Sequence, residues 1–166
     1  MVKVAVLMGS KSDMPTVQYC LDILDEFSIK YIVKVLSAHR TPTETARFAR
    51  EAHKKGIKVI IAAAGNAAHL AGTLASHTIL PVIGVPIENK SLAGIDALFS
   101  TVQMPGGIPV ACMAIGSSGA KNAAILAIQI LALSNDRLQK KLVNYKRKLA
   151  RKTLGTPCGT KRMHTS

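Results

Sequence analysis

The stretch YIVKVLSAHRTPTE, residues 31–44, decides how the chain is read. Tyr31–Leu36 is an apolar run of strand length, broken only by Lys34. Thr41-Pro42-Thr43-Glu44 has the form of a helix start: Thr41 as the cap, Pro42 in the first helical position, and Glu44 reaching back in a capping box. A strand that passes into a helix within a few residues is half of a βαβ unit. Between the two stand Ser37, His39 and Arg40, a hydroxyl, an imidazole and a guanidinium where a connection needs none of them. The planar fork of Arg40 suits a phosphate held by two hydrogen bonds, and an imidazole gives and takes protons near neutral pH. This turn is expected to face a small anionic ligand.

The same alternation runs outward in both directions. Val2–Met8 reads as a strand, and Gly9-Ser10-Lys11-Ser12-Asp13 as a turn. The helix that follows places Val17, Cys20, Leu21, Leu24 and Phe27 on one face, with Ser12 or Asp13 as cap and Pro15 in its first turn. The helix opened by Thr41 ends at Lys55-Gly56. Lys58–Ala64 (KVIIAAA) is a third strand, which Gly65 turns into a short Ala-rich helix reaching His77. Pro81–Val85 and Val110–Ile115 are the fourth and fifth strands. Gly119–Leu133 is helical, and Ser134 or Asn135 caps a last helix ending near Lys152. This pattern predicts an α/β, flavodoxin-like three-layer sandwich: a five-stranded parallel sheet of order 2-1-3-4-5 with a C-terminal helix. A composition 48% hydrophobic but only 4% aromatic, without Trp, fits strands buried on both faces. Residues 1–152 are expected to form one domain. Residues 153–166 hold Gly, Pro and polar residues without periodicity and are expected to be a flexible basic tail.

The net charge of +13 is unevenly placed. Ten of the 22 basic residues lie between Arg137 and Arg162, and beyond Asp96 the only acid is Asp136. Positive charge favours anionic partners in general. No aromatic residues are spaced for base stacking apart from Tyr145, so the reading is a solvated basic helix and no nucleic-acid partner. No stretch is long and apolar enough for a membrane span or a signal peptide. Cys20, Cys112 and Cys158 are widely spaced and in no metal pattern, which suggests free thiols and a cytoplasmic setting.

In a parallel sheet the polar segments GSKSD, SAHR, AGNAAHL and AIGSSGAKN all follow strand carboxyl ends, so they are expected to converge on one rim. GSKSD enters a helix N-terminus, where free N–H groups favour phosphate, although Ser and Asp in such places are most often plain caps. GSSGAKN resembles an anion-holding turn but is not a nucleoside-triphosphate loop, and no G-x-G-x-x-G is present. His39 and His69 carry the acid–base chemistry in this reading, while His53, His77 and His164 are taken as structural or surface residues. The two histidines lack a third ligand, so no metal site is expected. No G-x-S-x-G turn supports a serine nucleophile. Gln103–Gly107 is read as an ordinary loop.

Taken in order, GSKSD, SAHRTP, AAHL, PVIGVP and QMPGG-IPV resemble the N5-carboxyaminoimidazole ribonucleotide mutase family, over about Val2 to Leu149. The resemblance implies conversion of N5-carboxyaminoimidazole ribonucleotide to 4-carboxy-5-aminoimidazole ribonucleotide in purine synthesis. It implies a homo-octamer with no metal, biotin or ATP. By motif, Ser10 and Asp13 would bind the ribose-phosphate part with Ser12 nearby, Ser37 and Arg40 the phosphate side, and His39 would carry the proton. His69, with Gly65 and Leu70, would line the carboxylate and CO2 pocket. AAHL favours the mutase over the related carboxylase that uses free CO2, in which this histidine is replaced. The chain departs from the common AGGAAHLPG form at Asn66 and Ala71. Asn tolerates positive φ better than other side-chain-bearing residues, so the turn is expected to survive.

Overall fold

A computed structural model describes residues 1–155. Five strands, β1 (Val4–Met8), β2 (Tyr31–Val35), β3 (Val59–Gly65), β4 (Val82–Ile87) and β5 (Ala111–Cys112), form one parallel sheet of order β2-β1-β3-β4-β5. This is the flavodoxin-like order expected. The central strands are apolar throughout because both faces are covered. Val4, Val6 and Met8 of β1, with Val59, Ile61 and Ala63 of β3, point into one core. Ala5, Leu7, Ile60 and Ala62 point into the other.

On the first face lie α1 (Met14–Glu26), α5 (Gly116–Ala132) and α6 (Asp136–Leu154). The helical face read from α1 is the buried one: Val17, Cys20, Leu21, Leu24 and Phe27 are all at most 5% exposed. Burial pushes the Cys20 thiol up to about 12. The second face carries α2 (Pro42–Ala52), α3 (Leu70–Ala75) and α4 (Ile95–Val102). Gly84 of β4 lets α4 approach closely, since a Cβ there would strike the Thr101 methyl and come within 3.0 Å of Val110 Cγ1.

Several boundaries differ from the sequence reading. β5 is only two residues long, at the sheet edge where one neighbour supplies its hydrogen bonds. Helix α5 starts at Gly116 rather than Gly119, because Gly116 takes φ +74° and turns the chain straight into the helix. α3 is shorter than expected, ending at Ala75, and α4 was not foreseen. Asn135 is the cap of α6, its Oδ1 accepting from Leu138 N at 3.1 Å. α6 runs to Leu154, two residues past the expected end. The rest of the expected tail, 156–166, lies outside the described residues.

Candidate active site

The sheet order puts the carboxyl ends of β2, β1 and β3 side by side, so the turns that leave them share one rim. There they enclose a cavity of about 440 Å³, lined by Gly9, Ser10, Ser12, Asp13, Ser37, Ala38, His39 and Arg40, and by the 64–70 segment except Ala68. All nine residues singled out from the sequence, Ser10, Ser12, Asp13, Ser37, His39, Arg40, Gly65, His69 and Leu70, line it. The fourth segment, AIGSSGAKN, does not. It leaves β5, two strands away from β3, and its serines sit in the first turn of α5. The Gln103–Gly107 loop is likewise outside the lining.

The first turn is fixed by its own polar groups. Ser10 caps a single 3-10 turn at Lys11–Asp13: its hydroxyl accepts from Ser12 N at 3.3 Å and Ser12 Oγ at 2.9 Å, while Asp13 Oδ2 accepts from Ser10 N at 3.0 Å. The sequence reading placed the cap at Ser12 or Asp13, and Asp13 is the N-cap residue of α1, without a side-chain cap hydrogen bond; the capping box sits one short turn earlier, at Ser10. Asp13 is 8% exposed. Its carboxyl is raised above the usual range, chiefly by desolvation, against lowering hydrogen bonds from Ser10, Ser12 and Gly9 and the Arg40 charge.

A raised carboxyl binds its proton more tightly when folded, so its stabilising share is present at acid pH and lost as pH rises through the folded value. Ionised Asp13 therefore costs stability at neutral pH. Asp13→Asn keeps an acceptor for Ser10 N without the charge. The variant is expected to melt at or above the wild-type temperature at neutral pH, with the difference shrinking toward acid pH, and to bind ligand more weakly. A melting temperature clearly below wild type at neutral pH would count against this reading of the buried carboxylate.

The second turn is built differently from its sequence signature. Thr41 is the N-cap of α2, with Pro42 in the first turn, but its side chain makes no cap hydrogen bond and the Glu44 capping box does not form. Thr41 Oγ1 instead accepts from Ser37 N at 2.9 Å and donates to Ser37 O at 3.1 Å, closing residues 37–41 into a ring. Buried Thr45 donates to Thr41 O at 2.8 Å and braces it. His39 and Arg40 stand at the tip. Arg40 Nη2 donates to Gly9 O at 2.9 Å, and its Nε to Ser37 Oγ at 3.4 Å. The guanidinium thus spans two strand ends, and the remaining N–H groups of its fork are open to a ligand among the described residues.

The third turn supplies the partner of His39. Asn66 takes φ +55°, so the left-handed turn survives the exchange of Gly for Asn. It brings His69, the N-cap residue of α3, to His39: Nε2 of His39 lies 2.8 Å from Nδ1 of His69, the rings edge to face with centroids 4.9 Å apart. One nitrogen donates and the other accepts, so this contact carries a single proton. Both rings are exposed, whereas Leu70 beneath them is buried. Sequence reasoning did not single out Gly9, whose carbonyl anchors Arg40; its one signal was its place directly after a strand. No group of three or more His, Cys, Asp or Glu among the described residues is arranged to hold a metal ion.

A family model described as AIR carboxylase matches residues 3–152. The chain is a member of the AIR carboxylase family. It is 51% identical over 151 residues to the N5-carboxyaminoimidazole ribonucleotide mutase of Pyrococcus abyssi, covering 91% of this chain and 86% of that one. With the mutase of Saccharolobus solfataricus it shares 53% over 156 residues, 94% and 98% of the two chains. The crystal structure of Treponema denticola PurE superposes with a TM-score of 0.83 at 29% identity, over 93% of this chain and 95% of that one. The AIR carboxylase match thus spans every segment that lines the cavity.

Proposed function

We propose that the chain is an N5-carboxyaminoimidazole ribonucleotide mutase of purine biosynthesis, an isomerase that moves a carboxyl group from the exocyclic nitrogen to ring carbon 4. The observation that carries it is the His39–His69 pair at 2.8 Å, set beside the Arg40 fork in one cavity. The names of the relatives at about half identity support the same reading.

In this reading Ser10, Ser12 and Asp13 hold the ribose-phosphate part, and Arg40, oriented by Ser37, the phosphate. Protonating the carbamate nitrogen breaks its bond to the carboxyl carbon and releases CO2. The ring carbon then attacks that CO2 and becomes tetrahedral, and loss of its proton restores aromaticity. His39 gives the first proton and takes the second, so no net proton comes from solvent. The CO2 has to stay beside the ring between the steps, which a small apolar wall favours. Ala64, Gly65, Ala67 and Leu70 supply that wall, with His69 on its rim.

Supplying each substrate separately tests the assignment. The carbamate is expected to turn over without added bicarbonate. Carboxylation proportional to dissolved CO2, with no turnover of the carbamate, would move the chain to the class that takes free CO2.

The reading extends to a cytoplasmic homo-octamer. Its support is α4 and the loop before it, where Leu92, Ile95, Phe99 and Val102 are 57, 51, 60 and 48% exposed at helical spacing. That is a stripe suited to burial by another subunit. The free thiols Cys20 and Cys112 agree with a reducing compartment. No helix among the described residues is long and apolar enough to cross a membrane. A solution mass eight times the 17.6 kDa chain is the expected result, and a stable monomer would contradict it.

A further inference from the structure

We infer that the outer face of α6 is a binding surface for the phosphate backbone of nucleic acid. The helix carries eight Lys and Arg against the single acid Asp136. Arg137, Lys140, Lys141, Arg147, Lys148 and Arg151 fall within an arc of about 120° at 3.6 residues per turn. The side chain of Lys141 is used locally, donating to Phe27 O at 2.9 Å. The other five are exposed, and none is in an ion pair with a described residue. From Arg137 to Arg151 the row is about 21 Å long, several phosphates of a nucleic-acid strand.

What surrounds the row selects the partner. Basic amphipathic helices bind membranes by inserting their apolar face, but here only part of that face is open, with Leu149 48% exposed. Leu142 and Tyr145 pack against the core, and the Tyr145 ring meets Phe27 edge to face at 5.4 Å. A protein partner calls for large apolar or aromatic anchors at the centre of the contact. Between these cations stands instead the amide of Asn144, with Val143 at the margin, beside a shallow hollow lined by Lys140, Arg147, Asp136 and Gln139, whose amide donates to Ala132 O at 2.8 Å. Amides and cations without apolar anchors match phosphate and sugar oxygens. The missing aromatics that spoke against nucleic acid in the sequence bear on base stacking, which backbone recognition does not use.

The test is anisotropy titration of the full chain with a labelled oligouridylate of about 20 nucleotides and a DNA duplex of similar length, from about 50 to 200 mM salt. Five phosphate contacts predict slopes of log affinity against log salt of about −3.5 for the single strand and −4.5 for the duplex. Arg147→Gln with Lys148→Gln should flatten the single-strand slope by about 1.4. Replacing all five residues by Gln should abolish binding, leaving carbamate turnover and melting temperature at wild-type values. Three results would overturn the proposal: no binding at the lowest salt, an unchanged slope in the five-fold variant, or tighter binding to phosphatidylserine vesicles than to either nucleic acid.

Discussion

His39→Asn is expected to lower turnover by at least about two orders of magnitude, the usual size of acid–base catalysis, with ligand binding largely kept. The amide cannot cycle a proton between the carbamate nitrogen and the ring carbon. It can still occupy the tip of the 37–41 ring, because that ring is held by Thr41 and Thr45 and not by the imidazole. Arg40 also keeps its tether to Gly9 O. The loss should therefore fall on kcat while KM and calorimetric affinity for a non-reacting nucleotide stay near wild type. Near-normal kcat in the variant would remove His39 as the proton carrier. A large rise in KM at unchanged kcat would make it a binding residue only.

Gly119→Ala is expected to have the largest effect on stability. Gly119 lies in the first turn of α5, where a Cβ would run into the carbonyl of Ala114, with the carbonyl carbon only 2.6 Å away. A flexible side chain could swing aside, but this is backbone held at the edge of the sheet: the preceding residue, Met113, donates to Gly84 O at 2.8 Å. The cost should exceed the upper end of ordinary overpacking, about 3 kcal/mol. At roughly 2–4 °C per kcal/mol for a chain of this size, the melting temperature should fall by about 10 °C, or the protein should not accumulate folded. Ser118→Ala, in the same turn and exposed, serves as the control and should melt within about 2 °C of wild type. A similarly small change in Gly119→Ala would mean the α5 entry shifts freely.

Much of this was legible in the residues. The strands and the buried face of α1 follow from periodicity, since buried parallel strands and one-sided helices leave plain signatures at Val4–Met8 and at Val17, Cys20, Leu21 and Leu24, and the strand order is one of the few that right-handed crossovers allow. The cavity was legible because every lining segment directly follows a strand. What failed were features in which tertiary contacts override local pattern. Thr41 reads as a capping box, yet its hydroxyl closes the Ser37 ring. GSSG reads as an anion turn, yet Gly119 is there to admit the Ala114 carbonyl. α4 was missed because its large apolar residues face outward and only the small Ala97 and Thr101 are buried, the reverse of an ordinary amphipathic helix.

That reversed helix bears on how the protein is made in a cell. A newly synthesised copy that is already folded still displays Leu92, Ile95, Phe99 and Val102 to whatever it meets first. Until the proposed octamer covers them, chaperones and accidental aggregates compete for this stripe, so recovered soluble protein should track expression rate and temperature more closely than it tracks the melting point of the purified protein.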